Sequence, residues 1–168
     1  GTSLWIEDLF ARDAAPPVRF TPEGWNVNSP SFSPDGKTVY FLSAKSGSSQ
    51  LYAMPTAGGA PKQVTAFALD VDGYKLSPDG KRVAIAAGTF ADCKASARQD
   101  VFACTKKKLD DEGAAKNSGK VFDRMFIRHW DTWNDGRLNR VFIADLPSGK
   151  TKATASAGLV GADVLAVE

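Results

Sequence analysis

The sequence has few residues that bind metals. It contains one histidine and two cysteines, whereas a structural zinc site draws four ligands from these residue types. The formal net charge is only +2, which is too small for the electrostatic attraction that nucleic acid or an anionic membrane surface requires. We therefore expect no zinc site and no nucleic-acid partner.

Long apolar runs are also missing. No stretch approaches the ~20 consecutive apolar residues that cross a membrane as a helix, and the amino terminus lacks the basic and apolar pattern of a signal peptide. We expect no membrane partner and a start that is internal or processed. The hydrophobic fraction of 43% is sufficient to bury the core of one ordinary domain.

Motifs of catalysis and cofactor binding are absent as well. The chain has no Gly-x-Ser-x-Gly elbow of an α/β-hydrolase and no glycine-rich phosphate loop. Asp70 to Gly73 starts like a calcium loop but lacks the later ligands. We therefore assign no catalytic residue, no metal ligand and no cofactor to this sequence.

A pentapeptide, Ser-Pro-Asp-Gly-Lys, occurs at residues 33–37 and again at 77–81, a repeat of 44 residues. Proline fixes φ in this turn, aspartate bonds the nearby backbone and glycine takes a positive φ, so the chain reverses. A short apolar strand follows each copy, at 38–42 and 82–86. A period near 44 residues is typical of one β-propeller blade.

A second unit, a strand–turn–strand hairpin, occurs three times, at 4–21, 51–65 and 141–154. The two units together predict an all-β fold, a partial β-propeller of about two and a half four-stranded antiparallel blades. The alternative is an unrelated β-sandwich in which the pentapeptide is simply a good turn. The predicted segments are 1–28 for the outer strands of a preceding blade, 29–73 for a complete blade, 74–154 for a second blade, and 155–168 for the start of the next blade or a frayed tail.

The second blade contains a long insertion at about 88–139, which adds about 46 residues. We predict a short helix at 95–109 and a solvated connection at 111–119. Connections in an antiparallel blade alternate between its two ends. The insertion is therefore predicted on the face opposite the two pentapeptide turns, and loops of this kind often carry function.

Both cysteines, Cys93 and Cys104, lie in the insertion, eleven positions apart. Closing a loop of that length stabilises a fold by about 2–3 kcal/mol in an oxidising compartment. We predict a disulfide between them. The alternative is two free thiols, buried or kept reduced in a cytosolic protein.

Four residues late in the insertion, Arg128, His129, Trp130 and Asp131, bring a guanidinium, an imidazole, an indole and a carboxylate together. In a strand, alternation places Arg128 and Trp130 on one side and the other two on the opposite side. Such groups can orient a peptide terminus, and we assign all four as candidate substrate-binding residues. In the alternative interpretation Trp130 and Trp133 pack the blade, and Arg128 and Asp131 form a structural ion pair.

The pentapeptide turns, the Cys93 to Cys104 insertion, and the segment from Val121 to Trp133 with the following Asp135-Gly136 resemble the propeller of prolyl oligopeptidase family enzymes. The likeness is greatest to secreted type-V dipeptidyl peptidases and acylaminoacyl-peptidases. The turns alone are shared with many propellers, including TolB-like proteins, whereas the Arg-His-Trp-Asp segment is more specific.

The resemblance implies a two-domain serine exopeptidase of the periplasm or the extracellular space. In such enzymes the propeller caps an α/β-hydrolase domain, screens peptides by size and helps to anchor the free amino end of the peptide. The implied partners are a peptide substrate, and the missing blades and hydrolase domain or other copies of this chain. The catalytic residues of the family match no position here. A second hypothesis is a non-catalytic TolB-like propeller scaffold that binds a protein or peptide.

Overall fold

A computed structural model describes residues 1–10, 16–93, 100–115, 128–129, 132–133, 135–146 and 165–166. Within these ranges the chain forms short antiparallel strands and a helix. The elements are β1 (Trp5–Ile6), β2 (Val18–Arg19), β3 (Val27–Phe32), β4 (Thr38–Ser43), β5 (Gln50–Pro55), β6 (Lys62–Gln63), β7 (Gly73–Leu76), β8 (Arg82–Phe90), α1 (Val101–Ala114), β9 (Arg128–His129), β10 (Thr132–Trp133), β11 (Arg137–Asp145) and β12 (Leu165–Ala166).

Strands β3 to β6 form a four-stranded antiparallel sheet in chain order, here called sheet 1. The first pentapeptide makes the turn between β3 and β4. The Ser33 hydroxyl donates to the Asp35 carboxylate at 2.6 Å, and the Lys37 N–H donates to the same oxygen at 3.1 Å. These hydrogen bonds hold the pKa of Asp35 below its ordinary value. Gly36 supplies the positive φ, at 69°, that the turn requires.

Strands β7, β8, β11 and β12 form a second four-stranded antiparallel sheet, here called sheet 2. Its pentapeptide turn has the same hydrogen bonds, because the Ser77 hydroxyl and the Lys81 N–H both donate to Asp79, at 2.5 and 3.0 Å. The Ser77 hydroxyl is the main cause that lowers the pKa of Asp79. The repeated pentapeptide therefore builds one turn at the same place in two sheets, as predicted.

The two sheets pack face to face as neighbouring blades do. Their first strands lie side by side, since the Tyr74 hydroxyl on β7 donates to the Ser29 carbonyl on β3 at 2.8 Å. The two turns also touch, because a Cβ added to Gly80 would lie 3.3 Å from the ring of Pro34. A shared core fills the space between the sheets and includes Leu42, Leu51, Val83, Ile85, Phe142 and Ala144. The prediction of an all-β partial propeller is confirmed.

A hairpin of β1 and β2 lies on the other face of sheet 1, with Ile6 opposite Val18 in its register. Ile6 packs against a second apolar cluster that includes Phe41 and Tyr52 of sheet 1. Trp25 adds an edge contact to Tyr52, with 5.1 Å between the ring centroids. The predicted hairpin at the start of the chain is therefore present, and it covers sheet 1 from the side opposite sheet 2.

The helix lies further along the chain than the sequence predicted. It begins after Asp100, whose carboxylate accepts the N–H groups of Phe102 and Ala103 and so caps the first turn. It continues to Ala114 because ion pairs at i,i+4, such as Lys107 with Asp111, support its second half. Residues 111–114 are exposed, as a solvated segment requires, but they are helical, so the prediction of a connection was wrong for them. Residues 95–99 of the predicted helix and 116–119 of the predicted connection lie outside the described residues.

The fourth strand of sheet 2 comes from the end of the chain. Phe142 pairs with Ala166 and Ile143 with Leu165. The segment 151–154, predicted for this place, lies outside the described residues. For 155–168 the sequence predicts the start of a next blade or a frayed tail, whereas Leu165 and Ala166 pair with sheet 2. A repeat period carries no information on where a long connection returns to its sheet, so the sequence did not locate this strand. Within the described residues, no helix is long and apolar enough to cross a membrane.

Candidate functional site

The insertion leaves sheet 2 at the end of β8 that is remote from the pentapeptide turn. In sheet 1 the Thr56 N–H, after β5, donates to the Lys37 carbonyl of the turn at 2.9 Å. In sheet 2 the Leu146 N–H, after β11, donates to the Lys81 carbonyl at 2.7 Å. The turns after the first and third strands therefore share one face, and the insertion starts on the opposite face at Phe90, as predicted.

A disulfide fixes the first part of the insertion. Cys93 and Cys104 are bonded, with their Cα atoms 5.8 Å apart, and Cys93 is fully buried. The predicted disulfide is confirmed. Because Cys104 lies in the first turn of α1, the bond ties that end of the helix to the end of β8.

Phe102 anchors the helix to the core between the sheets. Its side chain is 0% exposed, and its ring stacks on Phe67 with 4.5 Å between centroids. A second ring contact, at 4.8 Å, joins it to Phe142 of β11. Phe67 lies in the connection between the two sheets, so α1 contacts both that connection and sheet 2.

Polar contacts complete the base of the insertion. Lys108 of α1 forms an ion pair with Asp92, and this contact holds the pKa of Asp92 below its ordinary value. The Lys108 ammonium also lies 5.5 Å from the ring centroid of Phe90. From β11, Arg140 donates to the carbonyls of Ala91 and Cys93, at 3.3 and 3.4 Å. Covalent, apolar and ionic contacts therefore hold the first part of the insertion, residues 90–93 and α1, against β11.

Two of the four candidate binding residues, Arg128 and His129, lie in a hairpin of β9 and β10. Arg128 pairs with Trp133 and His129 with Thr132 in an antiparallel register. The sequence predicts a strand-like segment from Arg128 to Asp131, and the structure describes strands at Arg128–His129 and Thr132–Trp133. Trp130 and Asp131 lie outside the described residues, and the binding role of all four residues stays a prediction.

Gln50 is a buried polar residue that sequence reasoning missed. It is 1% exposed and accepts the Thr65 hydroxyl at 2.9 Å and the Phe67 N–H at 3.0 Å. Its amide nitrogen donates to the carbonyls of Phe67 and Leu69 at 3.2 and 2.9 Å. Gln50 thus fixes the connection between the two sheets, in which Phe67 stacks on Phe102 of the helix. The only indication in the sequence is that Gln50 is a polar residue directly before the apolar run from Leu51 to Met54.

Metal ligands do not cluster in the described part of the chain. No group of three or more His, Cys, Asp or Glu side chains there could hold a metal ion. The described contacts hold together the base of the insertion, which comprises the end of β8, the disulfide and α1.

Replacing both cysteines by serine, in the variant C93S/C104S, is expected to lower the free energy of unfolding by about 2–3 kcal/mol. The reason is that the unfolded chain regains the freedom of the loop between the two residues. Urea denaturation measures the loss, and a reducing agent should lower the stability of the native protein but not that of the variant. Equal stability of both proteins under oxidising conditions would contradict the expectation.

No family model matches the chain. By sequence it is 29% identical over 118 residues to dipeptidyl-peptidase 5 of Porphyromonas endodontalis, a match that covers 70% of the chain and 15% of that protein. It is 31% identical over 85 residues to the uncharacterized peptidase YuxL of Bacillus subtilis, covering 50% of the chain and 12% of that protein. The aligned part of this chain thus spans a small fraction of the length of either relative.

Among solved structures, the acylaminoacyl peptidase of Pyrococcus horikoshii matches 84% of this chain and 18% of its own, with a TM-score of 0.49 and 15% identity. TolB of Acinetobacter baumannii matches 86% of this chain and 24% of its own, with a TM-score of 0.48 and 20% identity. The sequence matches confirm the resemblance to peptidases that the turns and the insertion indicated: the chain is similar to a segment of larger peptidases.

Proposed function

We propose that this chain is part of the substrate-gating propeller of a secreted or periplasmic serine exopeptidase, of the dipeptidyl-peptidase or acylaminoacyl-peptidase type. Such an enzyme cleaves short peptides from the amino terminus. The observation that carries the proposal is the similarity to dipeptidyl-peptidase 5 over 70% of the chain. The catalytic serine, aspartate and histidine belong to a part of the polypeptide outside this chain.

The arrangement of the blades supports a gating role. Strands β3 and β7 are the first strands of their sheets, and the Tyr74 hydroxyl joins them. In a closed ring of blades such strands surround a central channel. The exposed side chains on β3 include the polar Asn28 and Ser31 and the apolar Phe32, which is 59% exposed. A ring of such strands would admit an extended peptide and exclude a folded protein.

The hairpin on the insertion supplies groups that suit the amino end of a peptide. The Asp131 carboxylate would form a charge-assisted hydrogen bond with a protonated amino group. The Arg128 guanidinium would donate to peptide carbonyls, and the Trp130 indole would pack against an apolar side chain. His129 would add a further donor or acceptor.

The disulfide supports the proposed location. Cys93 and Cys104 are bonded, and disulfides persist in the periplasm and outside the cell but are rare in the reducing cytosol. A peptidase with a gate would meet peptides there that other proteases have already released.

The function is tested with the full-length polypeptide and matched peptides. We expect release of dipeptides, or of an acylated residue, from the amino end of a short peptide and no cleavage of a folded protein. Mass spectrometry of the products identifies which end is cleaved. Cleavage inside a folded protein would contradict gating. Tight peptide binding without any hydrolysis would favour the TolB-like scaffold.

Alanine variants of the hairpin test the binding role. Asp131→Ala or Arg128→Ala in the full-length enzyme is expected to lower kcat/KM for short peptides roughly 10- to 100-fold. The loss corresponds to one charge-assisted hydrogen bond of about 1.5–3 kcal/mol. If the pair has a structural role instead, Tm should fall together with activity.

Arg137→Ala is the matched control for these variants. Arg137 follows Trp133 by four positions in the sequence, and its side chain pairs with Asp135 at 2.7 Å. Loss of this partly exposed pair should change stability by less than about 1 kcal/mol. A fall in kcat/KM in this control as large as in Arg128→Ala would contradict a specific role of the hairpin.

A further inference from the structure

Contacts near its first residues hold α1 to the core. The buried residues of the helix are Val101, Phe102 and Thr105, and the helix is exposed from Asp110 onward. The ion pair of Lys108 is partly exposed and contributes little to stability. The disulfide is formed at the same end of the helix as the buried residues. Docking of α1 therefore depends on this end.

A buried hydroxyl on the packed side of β8 has no hydrogen-bond partner. Thr89 is 0% exposed, and no group among the described residues bonds to its Oγ1. Alternation along β8 places Thr89 on the same side as Ile85 and Ala87. The N–H of the next residue, Phe90, donates to the Thr105 hydroxyl at 3.4 Å, so α1 lies against this end of β8. Burial of an unpaired hydroxyl costs free energy, which opposes docking of the helix.

The two bonded cysteines differ in access to solvent. Cys93 is 0% exposed, whereas Cys104 is partly exposed. A thiolate reduces a disulfide by attacking one sulfur, and the electron pair of the S–S bond leaves with the other sulfur. Because a reductant in solution reaches Cys104 first, the burial pattern sets the direction of thiol exchange at this disulfide.

We propose that the Cys93–Cys104 disulfide is a redox-controlled latch: a dithiol reductant attacks at Cys104, and α1 of the reduced protein opens away from β8 far more often. One thiolate of the dithiol bonds to Cys104 Sγ, and the electron pair of the S–S bond goes to Cys93 Sγ. The second thiol of the dithiol then displaces Cys104 Sγ. The dithiol ends as a disulfide, and its two protons end on Cys93 and Cys104.

The unpaired Thr89 hydroxyl makes this latch responsive. While the disulfide is closed, α1 cannot move far from the end of β8. After reduction, each opening exposes the hydroxyl to water, which favours the open state. The helix is therefore held in an oxidising compartment and loosened in a reducing one. This behaviour does not depend on peptidase activity, so its failure and that of the proposed function are separate outcomes.

Hydrogen exchange in the full-length polypeptide measures the opening. The Cys104 N–H donates to the Asp100 carbonyl at 2.9 Å, so it exchanges when this turn opens. Reduction with dithiothreitol is expected to speed its exchange roughly 30- to 150-fold, which corresponds to about 2–3 kcal/mol for a loop of this length. In the control C93S/C104S, exchange at position 104 should be fast and should not respond to dithiothreitol. Unchanged exchange on reduction would overturn the proposal.

Single-cysteine variants of the full-length polypeptide test the point of attack. Cys93→Ala leaves the thiol at Cys104, and Cys104→Ala leaves the thiol at Cys93. We expect Cys104 to react with iodoacetamide at least roughly tenfold faster than Cys93, which reacts only when α1 opens. Mass spectrometry of the peptides locates each label. Equal rates for the two thiols would contradict attack at Cys104.

Thr89→Val tests the role of the unpaired hydroxyl. Valine keeps the shape of threonine but removes the hydroxyl, so the docked state should gain stability. Combined with Cys104→Ala, it is expected to slow labelling of Cys93 at least roughly fivefold. Thr65→Val is the matched control, because Thr65 is equally buried but its hydroxyl bonds Gln50, and it should not slow labelling. Labelling that Thr89→Val leaves as fast as before would overturn the proposal.

The same two threonine variants with the disulfide intact give a second readout, which stays valid if a single-cysteine variant does not fold. Thr89→Val is expected to raise Tm by about 1–3 °C, since a buried unpaired group is lost. Thr65→Val should lower Tm, because it leaves the partners of a bonded hydroxyl unpaired. A Tm that does not rise in Thr89→Val would contradict a docking penalty at this residue.

Discussion

Replacing Phe102 by alanine is expected to lower the free energy of unfolding by about 3–5 kcal/mol, the usual cost of removing a fully buried aromatic ring. Phe102 is 0% exposed and touches the rings of Phe67 and Phe142. The variant therefore loses contacts to the connection between the sheets and to β11 at once. Urea denaturation followed by tryptophan fluorescence measures the change.

Lys107→Ala provides the control within the same helix. Lys107 is exposed and pairs with Asp111 four residues later, a contact that contributes about 0.3–0.5 kcal/mol. If Phe102→Ala costs no more than this control, the helix is not anchored in the core. Phe102→Leu should recover part of the loss because it refills most of the cavity.

Replacing Gln50 by leucine is expected to cost about 3 kcal/mol or more. The amide of Gln50 bonds the Thr65 hydroxyl, the Phe67 N–H and the Leu69 carbonyl. Leucine has a similar volume but leaves these groups buried without a partner, and each such group costs about 1–3 kcal/mol. Denaturant unfolding gives the total, and hydrogen exchange should show faster exchange at the Phe67 N–H.

Gln63→Leu is the matched control for Gln50→Leu. Gln63 lies on the neighbouring strand β6, is exposed, and donates to the Thr65 carbonyl at 2.7 Å. Its loss should cost less than about 1 kcal/mol because water can replace the hydrogen bond. Equal losses in the two variants would contradict the role of Gln50 in fixing the connection.

The repeated turn explains why so much of the fold was predictable. Serine, aspartate and glycine act within five residues of one another, so the turn needs no information from the rest of the chain. Two copies at a fixed period then place the strands on either side. The helix boundary was less predictable because it depends on the cap at Asp100 and on ion pairs that extend the last turns. The fourth strand of sheet 2 depends on a long connection and had no local signal.

The candidate site was predictable in its position but not in its form. The length difference between the two repeats located the insertion, and the spacing of Cys93 and Cys104 indicated their bond. The hairpin was missed because the sequence around Arg128 and His129 is equally compatible with one continuous strand and with the first strand of a hairpin. Gln50 was missed because a polar residue at the start of a strand is usually exposed, and only tertiary contacts show that this one is buried.

The proposed function implies that this chain helps a peptidase to select its substrate and that catalysis needs the full-length polypeptide. The most direct measurement compares hydrolysis of a chromogenic dipeptidyl substrate by the 168-residue chain and by the full-length polypeptide at equal concentration. We predict hydrolysis by the full-length polypeptide and a rate equal to that of buffer for the chain alone. Hydrolysis by the isolated chain, or none by the full-length polypeptide, would contradict the account.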